Sequence, residues 1–134
     1  MNEFDVVVIG SGSAACAAAL RSAKGGLKVL VLEKSDRLGG TSAMSGAGIW
    51  IPANHVAAAA GVADSRQDAL AYIHAVQPPE LKQRDSRRWA AFVESAPDML
   101  QFLAENTPLE FQLVAEPDPF TEAPGGKGFG RMVT

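Results

Sequence analysis

Cysteine is almost absent. Cys16 stands alone, which excludes a disulfide framework and a cysteine-based zinc site and fits a reducing compartment. No stretch approaches ~18 consecutive apolar residues, so no membrane span is expected. Charge of one sign is missing too: 12 basic against 15 acidic residues give a net charge of −3, without the basic patch that marks nucleic-acid binders. The opening Met1-Asn2-Glu3-Phe4-Asp5 carries acids where a secretory signal would carry Lys or Arg. Aromatic residues are few at 7%, and 23 alanines inflate the 47% hydrophobic fraction. With 13 Gly and 8 Pro in 134 residues, the chain has material for one domain with a thin core. A soluble cytoplasmic protein without nucleic-acid partners is the expectation.

What is present is concentrated at the start. Phe4-Asp5-Val6-Val7-Val8-Ile9 is a β-branched run that predicts a strand buried on both faces. Ser13 to Lys24 lacks breakers and is rich in Ala, Leu, Arg and Lys, which predicts a helix. Ala15, Ala18, Ala19 and Ser22 would form its small, sheet-facing side. Gly25-Gly26 stops it, and Lys28 to Glu33 predicts a second strand. Strand, helix and strand over about 30 residues make one βαβ unit with parallel strands.

Farther on, glycines punctuate a loop closed by Ile49-Trp50-Ile51-Pro52. Helices are expected from Asn54 to Ala60, Ser65 to Val76, Ser86 to Glu94 and Pro97 to Asn106, with Ser65-Arg66-Gln67-Asp68 spaced as a capping box. Glu110 to Val114 alternates as a strand with one wet face does. Residues 116–131 hold three Pro and four Gly and read as an irregular loop, with no closing element after it. The fold class is therefore α/β, a Rossmann-like dinucleotide-binding domain with parallel strands and a helical excursion, incomplete at its C-terminus.

Gly10-Ser11-Gly12-Ser13-Ala14-Ala15 is G-x-G-x-x-A between the first strand and the helix. The chain must turn at Gly10, a phosphate must approach the backbone at Gly12, and Ala15 lets the helix lie close to the strand. A pyrophosphate would face the free N–H groups at the helix start. Glu33, 23 positions after Gly10, stands where an acid accepts hydrogen bonds from ribose hydroxyls. The alternative is a tight turn and a strand-ending acid without a ligand. An acid there disfavours NADP but leaves NAD and FAD open.

Lys34-Ser35-Asp36-Arg37-Leu38-Gly39-Gly40-Thr41-Ser42 and Ala43-Met44-Ser45-Gly46-Ala47-Gly48 supply a second Gly-rich, hydroxyl-bearing stretch, as a long extended cofactor requires. At this point the chain resembles the superfamily of FAD-dependent fumarate reductases, succinate dehydrogenase flavoproteins and 3-ketosteroid dehydrogenases. The residues that carry the likeness are Asp5 to Gly12, Val29 to Lys34 and Gly39-Gly40-Thr41-Ser42. Gly48-Ile49-Trp50-Ile51-Pro52 is similar to the ketosteroid dehydrogenase branch in particular, and the likeness continues through Glu105 to Pro108 and Glu122 to Lys127.

The resemblance implies FAD, with Gly10, Gly12, Ser13, Ala14 and Ala15 at the pyrophosphate and Glu33 at the adenosine ribose. Lys34, Gly39, Gly40, Thr41 and Ser42 would follow the adenosine and diphosphate. Ser45, Gly46, Ala47 and Gly48 would run beside the isoalloxazine ring, with amides near Ala47 and Gly48 tuning it. Some members tether FAD to a histidine where this chain has Gly40 and Thr41, which implies non-covalent binding. The resemblance also makes residues 1–108 the N-terminal part of the FAD-binding domain and 109–134 the beginning of an inserted substrate domain. The rest of a parent chain and a small-molecule substrate, steroid-like or another enone or dicarboxylate, are the implied partners.

Catalytic residues are not in sight. The resemblance places a tyrosine near Phe120, which has no proton to exchange. Tyr72 is read as packing, Cys16 as a small core residue, and His55 and His74 as structural. Lys82, Arg84, Arg87 and Arg88, interrupted by Asp85, read as a solvated helix face. Arg131 could face a carboxylate but reads as solvated; Trp50 reads equally as core or as a neighbour of the ring system. An oxidoreductase acting on a C–C bond beside a carbonyl is the implied parent. An NAD-dependent enzyme and a non-catalytic flavin-binding fragment are the competing readings.

Overall fold

The computed structural model describes residues 3–134; Met1 and Asn2 lie outside it. The chain divides into two compact units, one up to Ala47 and one from Gly48 to Thr134.

The first unit is the expected βαβ. Strand β1 (Val6–Ile9) pairs in parallel with β2 (Val29–Leu32), Val6 opposite Val29 and Ile9 opposite Leu32. Helix α1 (Ser13–Lys24) packs on both strands. Ala15, Ala19 and Ser22 lie half-buried on the inner side, whereas Ala18 is exposed. The helix ends where expected: Gly26 takes φ +86°, its amide donating to the Ala23 carbonyl at 3.0 Å.

The strands are not buried on both faces. Val7 is 52% and Ile9 85% exposed, and Val31 and Leu32 are exposed as well. In β1 the exposed side chains alternate with half-buried Val6 and Val8, whereas β2 is half-buried at Val29 and Leu30 and exposed at its end. A short 3-10 helix at Gly40–Met44 follows, where the sequence predicts only a loop.

The second unit contains the larger core. Strand β3 (Ile49–Trp50) pairs antiparallel with β4 (Met132–Val133), so a closing strand exists after the Pro/Gly loop. The strand expected at Glu110 to Val114 reduces to one bridge, Leu113 to Val133, flanked by Gln112 and Val114 bonds to Thr134 and Met132. Helix α2 (His55–Ala59) starts at Asn54, whose Oδ1 accepts from the Ala57 amide at 2.8 Å. Helix α3 (Arg66–Val76) starts at Ser65, whose Oγ accepts from the Asp68 amide at 3.0 Å. That is half of a capping box, because the Asp68 carboxylate turns instead to Lys127 Nζ at 3.0 Å.

The two helices expected after Pro79 are one, α4 (Pro79–Asn106), with Pro97 inside it. Proline removes one helical hydrogen bond, but Val93, Ala96 and Leu100 are all buried and share a face at helical spacing. Their common burial carries the helix through. Ile51, Ala96, Leu100 and Val133 form one core cluster; Ala69, Tyr72, Ile73 and Val93 form another.

Candidate functional site

The first unit gathers its polar chemistry at the start of α1. Gly10 has φ +100°, a conformation that disfavours a side chain, and it turns β1 toward the helix. The first i→i−4 bond of α1 runs from the Cys16 amide to the Gly12 carbonyl at 2.9 Å. The amides of Ser13, Ala14 and Ala15 precede it and are orphan helix donors at the positive end of the dipole. Ser13 N donates to Ser42 Oγ at 3.2 Å, and Ser42 Oγ donates to Ser13 Oγ at 3.1 Å. A cleft of about 580 Å3 opens here between Gly10, Gly12, Ser13 to Ala15, Thr41 and Ser42. No carboxylate lines it.

One residue ties the two glycine segments together. Ser11 is buried; its Oγ donates to Glu33 Oε2 at 2.6 Å and accepts from the Gly39 amide at 2.9 Å. Glu33 Oε1 accepts from the Ser35 amide at 3.0 Å. The Ser11 hydroxyl, followed by that amide, holds the Glu33 carboxyl below the usual range, so Glu33 stands as an anion beside the glycine loop. Gly39 has φ +105°, and a Cβ there would lie 2.6 Å from the Ala43 Cβ. Gly40 sits against Gly12. Sequence reasoning takes Ser11 for a spacer; a hydroxyl inside the loop with an acid one strand away is the signal for its role.

The remaining predicted site residues are less gathered. Lys34 is exposed. Ser45 Oγ donates to the Ser42 carbonyl at 2.8 Å and accepts from the Ala47 amide at 3.2 Å, Ala47 itself having φ +61°. Ser45, Gly46, Ala47 and Gly48 are all exposed, and Gly48 begins the second unit. Cys16 is exposed rather than a core residue: the inner side of α1 belongs to Ala15 and Ala19, and the thiol donates to the Ser11 carbonyl at 3.2 Å.

In the second unit Arg131 overturns its expectation. It is 1% exposed, with Nε and Nη2 on the Asp64 carboxylate at 2.8 and 2.7 Å and Nη1 on Asp118 at 2.8 Å. Its guanidinium also lies 5.4 Å from the Trp50 ring centre and 5.7 Å from that of Tyr72. Burial alone would raise the Asp64 carboxyl, but the Arg131 hydrogen bonds, the Ala53 amide and the guanidinium charge outweigh it and hold the group low. Trp50 is a packing residue, stacked on Phe92 and donating to Asp118 at 2.7 Å. Tyr72 is buried and accepts from the Phe120 amide at 3.4 Å. His55 and His74 are exposed, as are Lys82, Arg84, Arg87 and Arg88. Among the described residues no helix is long and apolar enough to cross a membrane.

Compared with known proteins, residues 5–131 match the FAD binding domain family. The chain belongs to that family. The chain is 40% identical, over 99% of its length and 23% of the relative's, to a 3-oxosteroid 1-dehydrogenase of Mycobacterium tuberculosis. It is 34% identical to an NADH:fumarate oxidoreductase of Klebsiella pneumoniae, over 76% of this chain and 11% of that one. The structure of a 3-ketosteroid delta1-dehydrogenase from Sterolibacterium denitrificans, solved with 1,4-androstadiene-3,17-dione, superposes with a TM-score of 0.82. That pair is 39% identical over 99% of this chain and 23% of the other. The chain thus spans about a quarter of the length of these steroid dehydrogenases. The cofactor is FAD, and the fold is the α/β fold of that family.

The donor set of the cleft fits FAD. An anionic diphosphate would find helix amides and hydroxyls there without an opposing carboxylate, and Glu33 is an ionised acceptor of the kind that suits ribose hydroxyls.

Proposed function

We propose that the FAD-binding domain serves a flavin-dependent dehydrogenase or reductase that acts on a carbon–carbon bond beside a carbonyl. The substrate is a steroid-like ketone or a related enone or dicarboxylate. The observation that carries this reading is the cleft at the start of α1, with Glu33 held as an anion beside it by Ser11. Gly10, Gly12 and the amides of Ser13, Ala14 and Ala15 would hold the diphosphate, while Glu33 takes the adenosine ribose. Lys34, Gly39, Gly40, Thr41 and Ser42 would follow the adenosine side, and Ser45 to Gly48 the ring. FAD, once bound, supplies the hydride acceptor. No histidine stands in the first unit, which supports non-covalent binding.

In this reading the βαβ unit is the opening of a Rossmann-like sheet. Residues 1–108 belong to the flavin domain, 109–134 begin a substrate domain, and the setting is cytoplasmic. The chain's own residues bind and orient. Phe120 exchanges no proton, and Tyr72 is buried with its hydroxyl engaged. Acid and base therefore belong to other parts of a parent enzyme, and this chain alone has no turnover. Identity is higher to the steroid dehydrogenase than to the fumarate enzyme, which favours the ketone substrate.

Reconstitution with FAD tests the reading. The purified chain binds FAD and not NADH, and Glu33→Ala weakens flavin binding by about 10-fold, the loss of a hydrogen bond to a charged group. Flavin retention unchanged by that substitution would remove the ribose role.

A further inference from the structure

The second unit holds an apolar cleft of about 510 Å3 walled by Trp50, Tyr72, Val76, Leu81 and Trp89, with Asp85 also on its lining. All of these lie within Gly48 to Thr134, so the cleft belongs to that unit alone. Val76 is 37% exposed, so the cleft opens to solvent. Its volume falls among small-molecule sites, roughly 300–1,000 Å3.

The wall offers almost no hydrogen bonds. Trp50 Nε1 is engaged with Asp118 at 2.7 Å, and the hydroxyl of buried Tyr72 accepts from the Phe120 amide at 3.4 Å. Gln77 Nε2 donates to the Leu81 carbonyl at 3.3 Å. Gln77 Oε1 and Trp89 Nε1 have no partner, but both are sealed from solvent and present nothing to the cleft. A peptide backbone entering here would lose water from its N–H and C=O groups and find nothing in exchange. The wall suits hydrocarbon.

Charge stands at the rim. Four of the 12 basic residues fall within Lys82 to Arg88, with Asp85 as the one acid of that stretch. Arg84 Nε and Nη2 bond to the Asp85 carboxylate at 3.1 and 2.9 Å, and Arg88 Nη1 lies 3.6 Å from it. A residue of the lining therefore holds two guanidiniums beside the cleft, and their side chains remain 68% and 84% exposed. Arg88 also lines an adjoining hollow of about 280 Å3 with Asp85, Trp89 and Phe92. Two cations sharing one carboxylate leave a surplus positive charge in a chain of net charge −3. Each guanidinium keeps N–H donors that Asp85 does not use, in the fork that fits carboxylate or phosphate oxygens.

We propose that this cleft binds an amphiphile with a hydrocarbon tail and an anionic head. The tail lies between Trp50, Tyr72 and Trp89, and the head meets Arg84 and Arg88. A free long-chain carboxylate and an anionic phospholipid share that chemistry. The site lies wholly in the second unit and does not depend on the flavin reading.

Trp50 and Trp89 are the two tryptophans of the sequence, so intrinsic fluorescence reports on the tail. Dodecanoate, kept below its micelle-forming concentration, is titrated into the 134-residue chain by fluorescence and calorimetry. Dodecan-1-ol, dodecyltrimethylammonium and 1,4-androstadiene-3,17-dione are titrated beside it. Saturable dodecanoate binding is expected, about 10-fold tighter than any of the three and weakening as NaCl is added. Arg84→Gln combined with Arg88→Gln should remove that advantage while dodecan-1-ol binds as before. Val76→Asp should abolish tail binding, and circular dichroism should be native in both variants. Co-sedimentation with phosphatidylglycerol but not phosphatidylcholine vesicles, without dodecanoate binding, would name the phospholipid as the source. The proposal is overturned if neither dodecanoate nor phosphatidylglycerol binds, if an uncharged or cationic ligand binds as tightly, or if the double arginine variant binds the anion unchanged.

Discussion

Ser11 and Arg131 show how much single side chains decide in this protein, and neither shows its role at its own position in the sequence. The Ser11 hydroxyl donates to Glu33 and accepts from Gly39, so one small residue aligns the acid proposed for the ribose with the second glycine segment. Ser11→Ala therefore weakens FAD binding by about 10-fold, the size of one lost charge-assisted hydrogen bond. The effect has a pH signature. Because the folded Glu33 carboxyl is held below its ordinary value near ~4.3, its contribution is present above that value and disappears as pH falls through the lowered one. In Ser11→Ala the carboxyl loses its main support, so flavin loss on acidification starts at higher pH in a fluorescence titration of bound FAD. Arg131 is a different case, a cation enclosed by two carboxylates. Asp64→Asn removes one of its two counter-charges and leaves it paired with Asp118 alone, and urea unfolding monitored by tryptophan fluorescence should show a loss of about 1.5–3 kcal/mol. A loss under about 1 kcal/mol, the value of a surface pair, would contradict the buried arrangement. Sequence reasoning misreads Arg131 because its partner Asp64 lies 67 positions away; no local spacing rule reaches that far.

Elements were legible where local patterns and burial agree. β1, α1 and β2 follow from a β-branched run, an alanine-rich breaker-free stretch and a glycine stop. The helix starts at Asn54 and Ser65 follow from their capping side chains. The misreadings all arise where packing overrides a local signal. Pro97 marks a break in the sequence, yet it lies inside α4 because Val93, Ala96 and Leu100 are buried along one face. Pro97→Ala restores the N–H that can bond to the Val93 carbonyl and removes the proline penalty of up to ~3 kcal/mol. A stabilisation of about 1–3 kcal/mol is expected in thermal unfolding. A lowered melting temperature would mean that the proline is needed to seat Ala96 and Leu100. β4 was invisible because Met132–Val133 is a two-residue strand whose partner is Ile49–Trp50, and the alternation at 110–114 yields one bridge because β4 offers so short an edge.

At the scale of the whole molecule, the two units differ in what holds them. The second has two core clusters, a 28-residue helix and an enclosed ion triad. The first has no buried residue in α1 and leaves Val7, Ile9, Val31 and Leu32 exposed, so its order depends more on what binds to it. FAD at 100 times its dissociation constant would stabilise the binding-competent state by about 2.7 kcal/mol. The glycine motif and the acid made the turn that carries the proposed site legible from the sequence. The hydroxyl network that aligns it was not, because Ser11, Ser13, Glu33, Gly39 and Ser42 meet only after folding. The most direct test is an amide NMR titration of the chain with FAD. The largest shifts should fall on Ser13, Ala14, Ala15, Gly39 and Ser42, and in Glu33→Ala they should require about 10-fold more FAD. If the amides at the start of α1 stay still while FAD binds elsewhere, the assignment of the diphosphate to that helix is wrong.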